Sequence, residues 1–574
     1  MDAVIVLAIL GVVVIAVATG LAPRLNIAGP LLLVIAGLGV SLLPFVPAVE
    51  VDPEIILVGI LPPLLYSAAV SLPAIEFRRD FGPIAGLSVV LVVISSVVLG
   101  LFFTWAIPDL GLLQAIALGA ILSPTDAVAT SIVKRLGLSP RVVTMLEGES
   151  LLNDATSLVL LRTAVAAVAT GGAVAAGEFA GAFAWGVLVA LAVGALVGLL
   201  SLRFRTWVGH SAANTAVGFA VPFAAYLPTE HLGGSGLVAA VVAGIVTGQG
   251  SARWLTAEQR LSATLNWRTI ELVLEGAVFL IMGLELKDIW RENVALHDGP
   301  LRAAWLALAA LGIVLVVRTG YVALLVQLQG RRARHKQRER LDRFGARIEA
   351  IDPQQGDTGT PPHRAAFTER RIAALRRRLR RAFADLDYYQ SSPLGWKHGA
   401  IIVWAGMRGV VTLAAAQTLP RDTPARELLI LTAFLVAVIS LLVQGFTLPA
   451  FARLLRIPPE SDELTRDEQD RIDGELREAA MIALSHPDLR RRDGTPFPAD
   501  LVERVGGSLA DPPDEEETVA HREALELRLA LIRAMRVRLV SLSNSGLSSA
   551  ALRHSLAELD ADELSLRLRL DDDD

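Results

Sequence analysis

The chain contains no cysteine. Disulfides, thiolate nucleophiles and cysteine-ligated metals are therefore excluded. The nine histidines are scattered and form no HxxxH or HExxH pair, so the usual zinc spacing is absent as well. Charge is also scarce. Asp, Glu, Lys and Arg make up 19% of the 574 residues, where a soluble domain carries roughly a quarter. No basic segment precedes the first apolar run, because Met1-Asp2 lead straight into Ala3-Val4-Ile5-Val6, and no small-residue cleavage site follows it. That run is predicted to be a retained first span and not a signal peptide. What the chain has in excess is apolar: 53% of residues are hydrophobic and 47 are glycine, a residue that membrane helices tolerate better than soluble ones. The net charge of −5 decides little by itself.

A helix crossing the hydrocarbon needs roughly 20 mostly apolar residues, and about thirteen runs meet that measure. They cover residues 3–22, 27–47, 54–73, 81–106, 112–134, 141–170, 178–202, 210–228, 233–249, 262–286, 301–326, 397–419 and 427–453. With the N-terminus outside, the inner short loops hold Arg24, Arg78, Arg79, Lys134, Arg135, Arg141, Arg203, Arg205, Arg253 and Arg260. The outer loops before the tenth span hold Glu50, Asp52, Asp109, Glu178 and Glu230, with no Lys or Arg. This asymmetry follows the positive-inside rule and leaves the C-terminus in the cytoplasm. Lys287, Arg291, Arg302, Arg421 and Arg426 fall on the outer side, against the rule.

The expected organisation is an all-α polytopic membrane protein: transmembrane segments 1–326 and 395–455, a charged cytoplasmic loop 327–394, and a cytoplasmic tail 456–574. The loop contains the basic runs Arg331 to Lys336 and Arg376 to Arg381, separated by a Pro/Gly/Gln stretch from Pro353 to Pro362, a pattern that predicts a charged hairpin. It either attracts anionic headgroups or is a solvated helical pair that fixes topology. In the tail, Thr465–Leu484 and Glu515–Val540 read as helices and Asp571 to Asp574 form an acidic tip. A plain helical tail and a dimerising or regulatory one remain open.

Ionisable residues within spans are costly in lipid, so each is a functional candidate. The fifth run contains Ser123-Pro124-Thr125-Asp126. Pro124 breaks the helix, freeing carbonyls beside a carboxylate, the kind of oxygen set that a dehydrated cation requires. The same break can be a simple kink with Asp126 capping the second half-helix, and the two readings are compatible. The sixth run contains Glu147-Gly148-Glu149-Ser150-Leu151-Leu152-Asn153-Asp154. Glu147, Ser150 and Asp154 share one helical stripe; Glu149, Asn153 and Thr156 share another. Three carboxylates in half a span require a wet cavity or buried cations. The twelfth run contains Gly406-Met407-Arg408-Gly409-Val410-Val411-Thr412, and Arg318 lies in the eleventh. Glu149 can neutralise one of these arginines.

Together, in this order and at about these distances apart, the three motifs resemble those of the sodium/proton exchangers, within the monovalent cation:proton antiporters. Pro62-Pro63-Leu64-Leu65-Tyr66 and Phe279 to Leu284 look like further family segments, and the likeness extends over roughly residues 3–455. It implies two inverted repeats whose broken helices, here the fifth and twelfth spans, cross near the midplane. It also implies that Asp154 binds cation or proton, with Asn153 beside it, and that Asp126, Thr125 and Ser150 complete an oxygen shell for Na+. Glu149 and Arg408 would form a structural ion pair. Asn153, in place of a second Asp, goes with electroneutral one-for-one exchange in related antiporters. The implied protein is a plasma-membrane transporter and not an enzyme, with Na+ (or Li+) and H+ as substrates and K+/H+ exchange as the alternative. It would be a homodimer in the bilayer, with no cofactor and no nucleic acid. Two departures stand out. Ser67 sits where several members carry an acid. Glu275 sits where a neutral polar residue is expected, and either pairs with Arg318 or adds a protonatable group. Arg162 either snorkels outward or balances an acid.

Two other classes compete. An intramembrane aspartyl protease would use Asp126 and Asp154, but its Gly-x-Gly-Asp signature is missing. A channel would need a continuous polar pore lining, whereas the acids here cluster on two or three spans.

Overall fold

In a computed structural model of the chain, the described residues are 2–25, 28–42, 52–126, 128–169, 176–208, 210–295, 300–332, 394–457, 466–486, 489–491, 495–510 and scattered positions between 525 and 566. Contacts within the chain divide it into two units, Met1–Asp462 and Glu463–Asp574. Among the described residues the elements are helices, and a single bridge between Arg490 and Pro496 is the one extended pairing. Lipid offers no hydrogen bonds to bare backbone, so an apolar chain satisfies its own amides by coiling.

The first unit runs α1 (Asp2–Leu25), α2 (Gly29–Ser41), α3 (Leu61–Ser71), α4 (Ala74–Arg79), α5 (Phe81–Ala85), α6 (Leu91–Ala106), α7 (Leu112–Leu122), α8 (Val128–Arg135), α9 (Pro140–Ala169), α10 (Ala176–Val208), α11 (Ser211–His231), α12 (Gly236–Trp254), α13 (Ala257–Ala295), α14 (Pro300–Arg332), α15 (Trp396–Trp404), α16 (Val410–Gln417) and α17 (Arg426–Leu454). Pro62 and Pro63 open α3 without amide protons to donate, and the preceding turns, Ile55–Ile60, widen to π geometry.

Among the described residues, five stretches are apolar and long enough to cross a membrane by length and composition: Phe81–Ala106, Pro140–Val168, Gly181–Val208, Pro300–Gln329 and Arg426–Leu454. Other expected spans miss that measure for visible reasons. The fifth and twelfth are each split in two, into α7 and α8 and into α15 and α16. The eighth carries Pro222 and Pro228 inside its helix. The tenth, α13, carries Glu271, Glu275 and Glu285.

The helices pack as two bundles. α1–α3 associate with α10–α13, and α6–α9 associate with α14–α17. Gly37 of α2 and Gly283 of α13 let two backbones touch: a Cβ on Gly283 would lie 2.8 Å from the Leu38 amide nitrogen and 2.9 Å from Gly37 Cα. Gly283→Val is expected to force α2 and α13 apart and to cost about 1–3 kcal/mol, read as an earlier melting transition in detergent. An unchanged transition would show that these helices separate freely.

The second unit contains α18 (Arg466–Ser485) and α19 (Ala499–Ala510), which pack on each other. Leu525, Ile532 and Leu566 form a small apolar cluster. The charged hairpin expected in 327–394 falls almost wholly outside the described residues, as do the acidic tip and most of Glu515–Val540.

Candidate functional site

The two helix breaks meet. The Asp126 amide donates to the Met407 carbonyl at 2.8 Å, joining Ser123–Asp126 to Ala405–Gly409. A side chain on Gly409 would collide with the Asp126 carboxylate, so only glycine permits this approach. The Asp126 carboxylate accepts from the Val128 amide at 3.1 Å and caps α8. Capping and placement at the crossing are thus the same geometry.

Each break leaves carbonyls at the end of a half-helix, and an arginine from elsewhere satisfies them. Arg408 Nε donates to the Leu122 carbonyl, the end of α7, at 2.9 Å, and its guanidinium also reaches the Gly406 carbonyl. Its amide donates to Ser440 Oγ at 2.6 Å. Arg318 of α14 donates to the Ile402 carbonyl, near the end of α15, at 3.0 Å through Nε and at 2.8 Å through a terminal nitrogen.

Arg318 also grips Glu149 with both terminal nitrogens, one contact at 2.8 Å to Oε2 and a closer one to Oε1. Both residues are fully buried, at 1% exposure each. This corrects the expected Glu149–Arg408 pair. Arg408 binds carbonyls, whereas Arg318 provides the two-pronged geometry that a carboxylate matches. The expected Glu275–Arg318 pairing is corrected for the same reason, since Glu149 and Ile402 take up that guanidinium. Glu149 also accepts from Thr125 Oγ1 at 3.3 Å, and Asn153 Nδ2 donates to that hydroxyl at 2.6 Å. The stripe of Glu149 and Asn153 therefore faces the first break and not open space. Arg162 balances an acid, Glu230.

The other stripe lines a cavity of about 290 Å³. Its walls carry five carboxylates, those of Asp126, Glu147, Asp154, Glu271 and Glu275, and one basic group, Lys134. Lys134 pairs with Glu147. Thr125 and Ser150 line the same space. Asp154 is buried at 8% exposure, and its carboxylate has no hydrogen-bond or ion-pair partner among the described residues. A group of oxygens around an uncompensated buried carboxylate suits a monovalent cation or a proton. Of the expected shell, Asp154, Asp126, Ser150 and Thr125 are together on the cavity. The Thr125 hydroxyl, however, is committed to Asn153 and Glu149, and Asn153 lies behind it.

Sequence reasoning missed Glu271. Its spacing of four from Glu275 on an apolar run was the available signal, since it puts both on one helix face. It also missed the buried pair of Asp80 and Arg141, joined at 2.8 and 2.9 Å and tied to Gln329 of α14 at 2.8 Å.

Comparison with known proteins gives the same picture. The family model described as sodium/hydrogen exchanger, transmembrane, matches residues 10–346 and 371–454. The uncharacterized Na(+)/H(+) exchanger YjcE of Escherichia coli K12 is 31% identical over 545 residues, 89% of each chain. The sodium, potassium, lithium and rubidium/H(+) antiporter of Bacillus pumilus is 32% identical over 270 residues, 45% of this chain and 40% of that one. Among solved structures, the sodium proton antiporter MjNhaP1 from Methanocaldococcus jannaschii superposes with a TM-score of 0.56 at 16% identity, over 79% of this chain and 98% of that one, which shows a shared fold. A cavity of carboxylates where two broken helices meet, in a chain of apolar helices with these relatives, is that of a multi-pass membrane protein, and the chain belongs to the sodium/hydrogen exchanger family of cation/proton antiporters.

Proposed function

We propose that the chain exchanges one Na+ for one H+ by alternating access, with both ions competing for the Asp154 carboxylate. The observation that carries this reading is that carboxylate itself: buried, facing the cavity, and without a partner among the described residues. Asp126, Ser150 and Thr125 supply neighbouring oxygens. A single carboxylate that carries either one Na+ or one proton bears the same charge in both directions, so the cycle moves no net charge. Potassium is the second reading, favoured by the naming of the Bacillus pumilus relative as an antiporter of four alkali cations.

The reading includes an architecture. About thirteen spans form two inverted repeats in which the split helices α7/α8 and α15/α16 are equivalent. Residues 1–326 and 395–455 form the transport domain, and the loop 327–394 and the tail 456–574 lie in the cytoplasm. The cavity reaches Lys134 and Glu147, beside the loops that hold Arg78, Arg79, Arg135 and Arg141. By the positive-inside rule this mouth is cytoplasmic. The protein sits in the plasma membrane as a homodimer.

The test is ion flux in proteoliposomes, with separate Na+, Li+ and K+ pulses. Na+ and Li+ are expected to drive proton flux, with K+ weaker, and an imposed membrane potential to leave the rate unchanged. A potential-dependent rate sinks the one-for-one reading. Each proton bound excludes one cation, so the apparent KM for Na+ should rise as pH falls, with the maximal rate changing less. The acid limb of the rate profile then moves toward lower pH as Na+ is raised. An acid limb that stays fixed at two Na+ concentrations, with and without residues 456–574, defeats the competition.

A further inference from the structure

A threonine inside a helix can satisfy its hydroxyl on the chain behind it. Thr104, Thr229, Thr319 and Thr432 do so here, each donating to the carbonyl four residues back at between 2.6 and 2.9 Å. Thr130 of α8 and Thr412 of α16 do not. Both are buried, at 5% and 1% exposure, and both line the cavity. Neither hydroxyl has a hydrogen-bond partner among the described residues. The helix breaks explain why. Each threonine is the third residue of its half-helix, so the residue four back, Asp126 or Arg408, lies in the break. The carbonyl there does not receive the hydroxyl.

The two breaks touch where the Asp126 amide meets the Met407 carbonyl and where Gly409 is pressed against the Asp126 carboxylate. Thr130 stands four residues beyond Asp126 and Thr412 three beyond Gly409, so each is about one turn past that contact. The two threonines come from different half-helices and line the same space as Asp126, Asp154 and Ser150. A hydroxyl oxygen carries two lone pairs. Buried without a partner, it is costly and calls for a water or an ion. Hard cations take oxygen ligands, neutral as well as charged, in place of the hydration they shed. A proton needs no such shell, since it sits on one carboxylate oxygen.

We propose that Thr130 and Thr412 are ligands of the transported cation and not of the proton: their hydroxyl oxygens replace part of the hydration that Na+ sheds as it settles on Asp154. This rests on the reading of Asp154 as the shared site. A carboxylate alone neutralises the ion's charge but does not replace its shell. The Thr125 hydroxyl already accepts from Asn153 and donates to Glu149, whereas those of Thr130 and Thr412 have both lone pairs free. Two substrates that compete for one carboxylate are thus told apart by the neutral oxygens around it. The half-helix starts supply those oxygens because the breaks leave their first-turn hydroxyls unclaimed.

The test measures Na+-driven proton flux in proteoliposomes of the full chain, with the apparent KM for Na+ determined across a range of pH. Thr130→Val and Thr412→Val keep the shape and remove the hydroxyl. Each is expected to raise KM about tenfold, equivalent to ~1.4 kcal/mol, with the maximal rate changing less. The pH at which KM begins to climb reports proton binding to the carboxylate alone, so it should stay at its wild-type position. Thr130→Ser and Thr412→Ser restore the hydroxyl and should restore KM. The proposal is overturned if either valine variant keeps the wild-type KM, which would leave that hydroxyl holding cavity water only. It is overturned too if the climb moves in pH, or if serine does not rescue, because the substitution then acts through the carboxylate or the shape of the site. A valine variant that loses its melting transition in detergent while its serine counterpart melts normally also overturns it, since a hydroxyl without a partner should not hold the fold. Asp154→Asn, assayed in parallel, separates the two claims. If that variant still exchanges, the shared site is wrong whatever the threonines do. If it is dead and the valine variants keep their KM, only the threonine role falls.

Discussion

Asp154→Asn should abolish Na+-driven proton flux while leaving the protein folded. The substitution keeps the shape of the side chain and removes both the charge that a cation needs and the proton that returns. Asp126 cannot stand in for it, because that carboxylate is engaged at the start of α8 and pressed against Gly409. Glu147 cannot either, since it is spent on Lys134. A loss of at least about a hundredfold is expected, equivalent to ~2.7 kcal/mol at ~1.4 kcal/mol per tenfold. Stability should hold or rise, because a buried amide costs less than a buried carboxylate without a partner. Flux assays on reconstituted protein, paired with melting curves in detergent, give both numbers. Exchange that persists in the variant would remove Asp154 from the centre of the mechanism.

The largest effect on stability is expected at Arg318. Arg318→Gln strips Glu149 of its guanidinium and leaves a charge at 1% exposure without its partner. Breaking a buried pair in this way costs on the order of 3–5 kcal/mol. It also bares the Ile402 carbonyl near the end of α15. Melting in detergent should fall sharply. Combining Arg318→Gln with Glu149→Gln should recover part of the loss, because the orphaned charge is gone. It should not recover all of it, because Ile402 still lacks its donor. A double variant no more stable than the worse single one would mean that the pair does not hold the fold. Arg408→Gln combined with Glu149→Gln should show no such recovery, which separates the observed pairing from the one the sequence suggested.

The two breaks were legible in the sequence because they depend on residues with strong local signals. Pro124 removes an amide, and Gly406 and Gly409 allow backbone to approach side chain. The division of α9 into two faces was legible too, because helical periodicity alone separates Glu147, Ser150 and Asp154 from Glu149 and Asn153. Which arginine met Glu149 was not legible. Arg318 and Arg408 are both intramembrane guanidiniums, and the choice depends on how α14 crosses α9, which no local signal encodes. Glu271 escaped notice because it lies inside the run 262–286, where only its spacing of four from Glu275 marks it. Its place on the cavity emerges only when α3 brings Ser67 to it and the same space brings Asp126 and Asp154.

The two arginine clasps also bear on how the protein is made. Arg408 closes the end of α7 from a point 286 residues later in the chain, counted to Leu122, and the Asp126 amide waits for Met407 in the same way. As the polypeptide leaves the ribosome, α7 and α8 enter the bilayer long before their partners exist. Until the last helices arrive, the Leu122 carbonyl lacks its guanidinium and the first break has nothing to lean on. The crossing of the two breaks is therefore completed only after Met407 and Arg408 have been made. A chain interrupted anywhere before residue 400 would leave the Leu122 carbonyl and the Asp126 amide without these partners inside an apolar bundle.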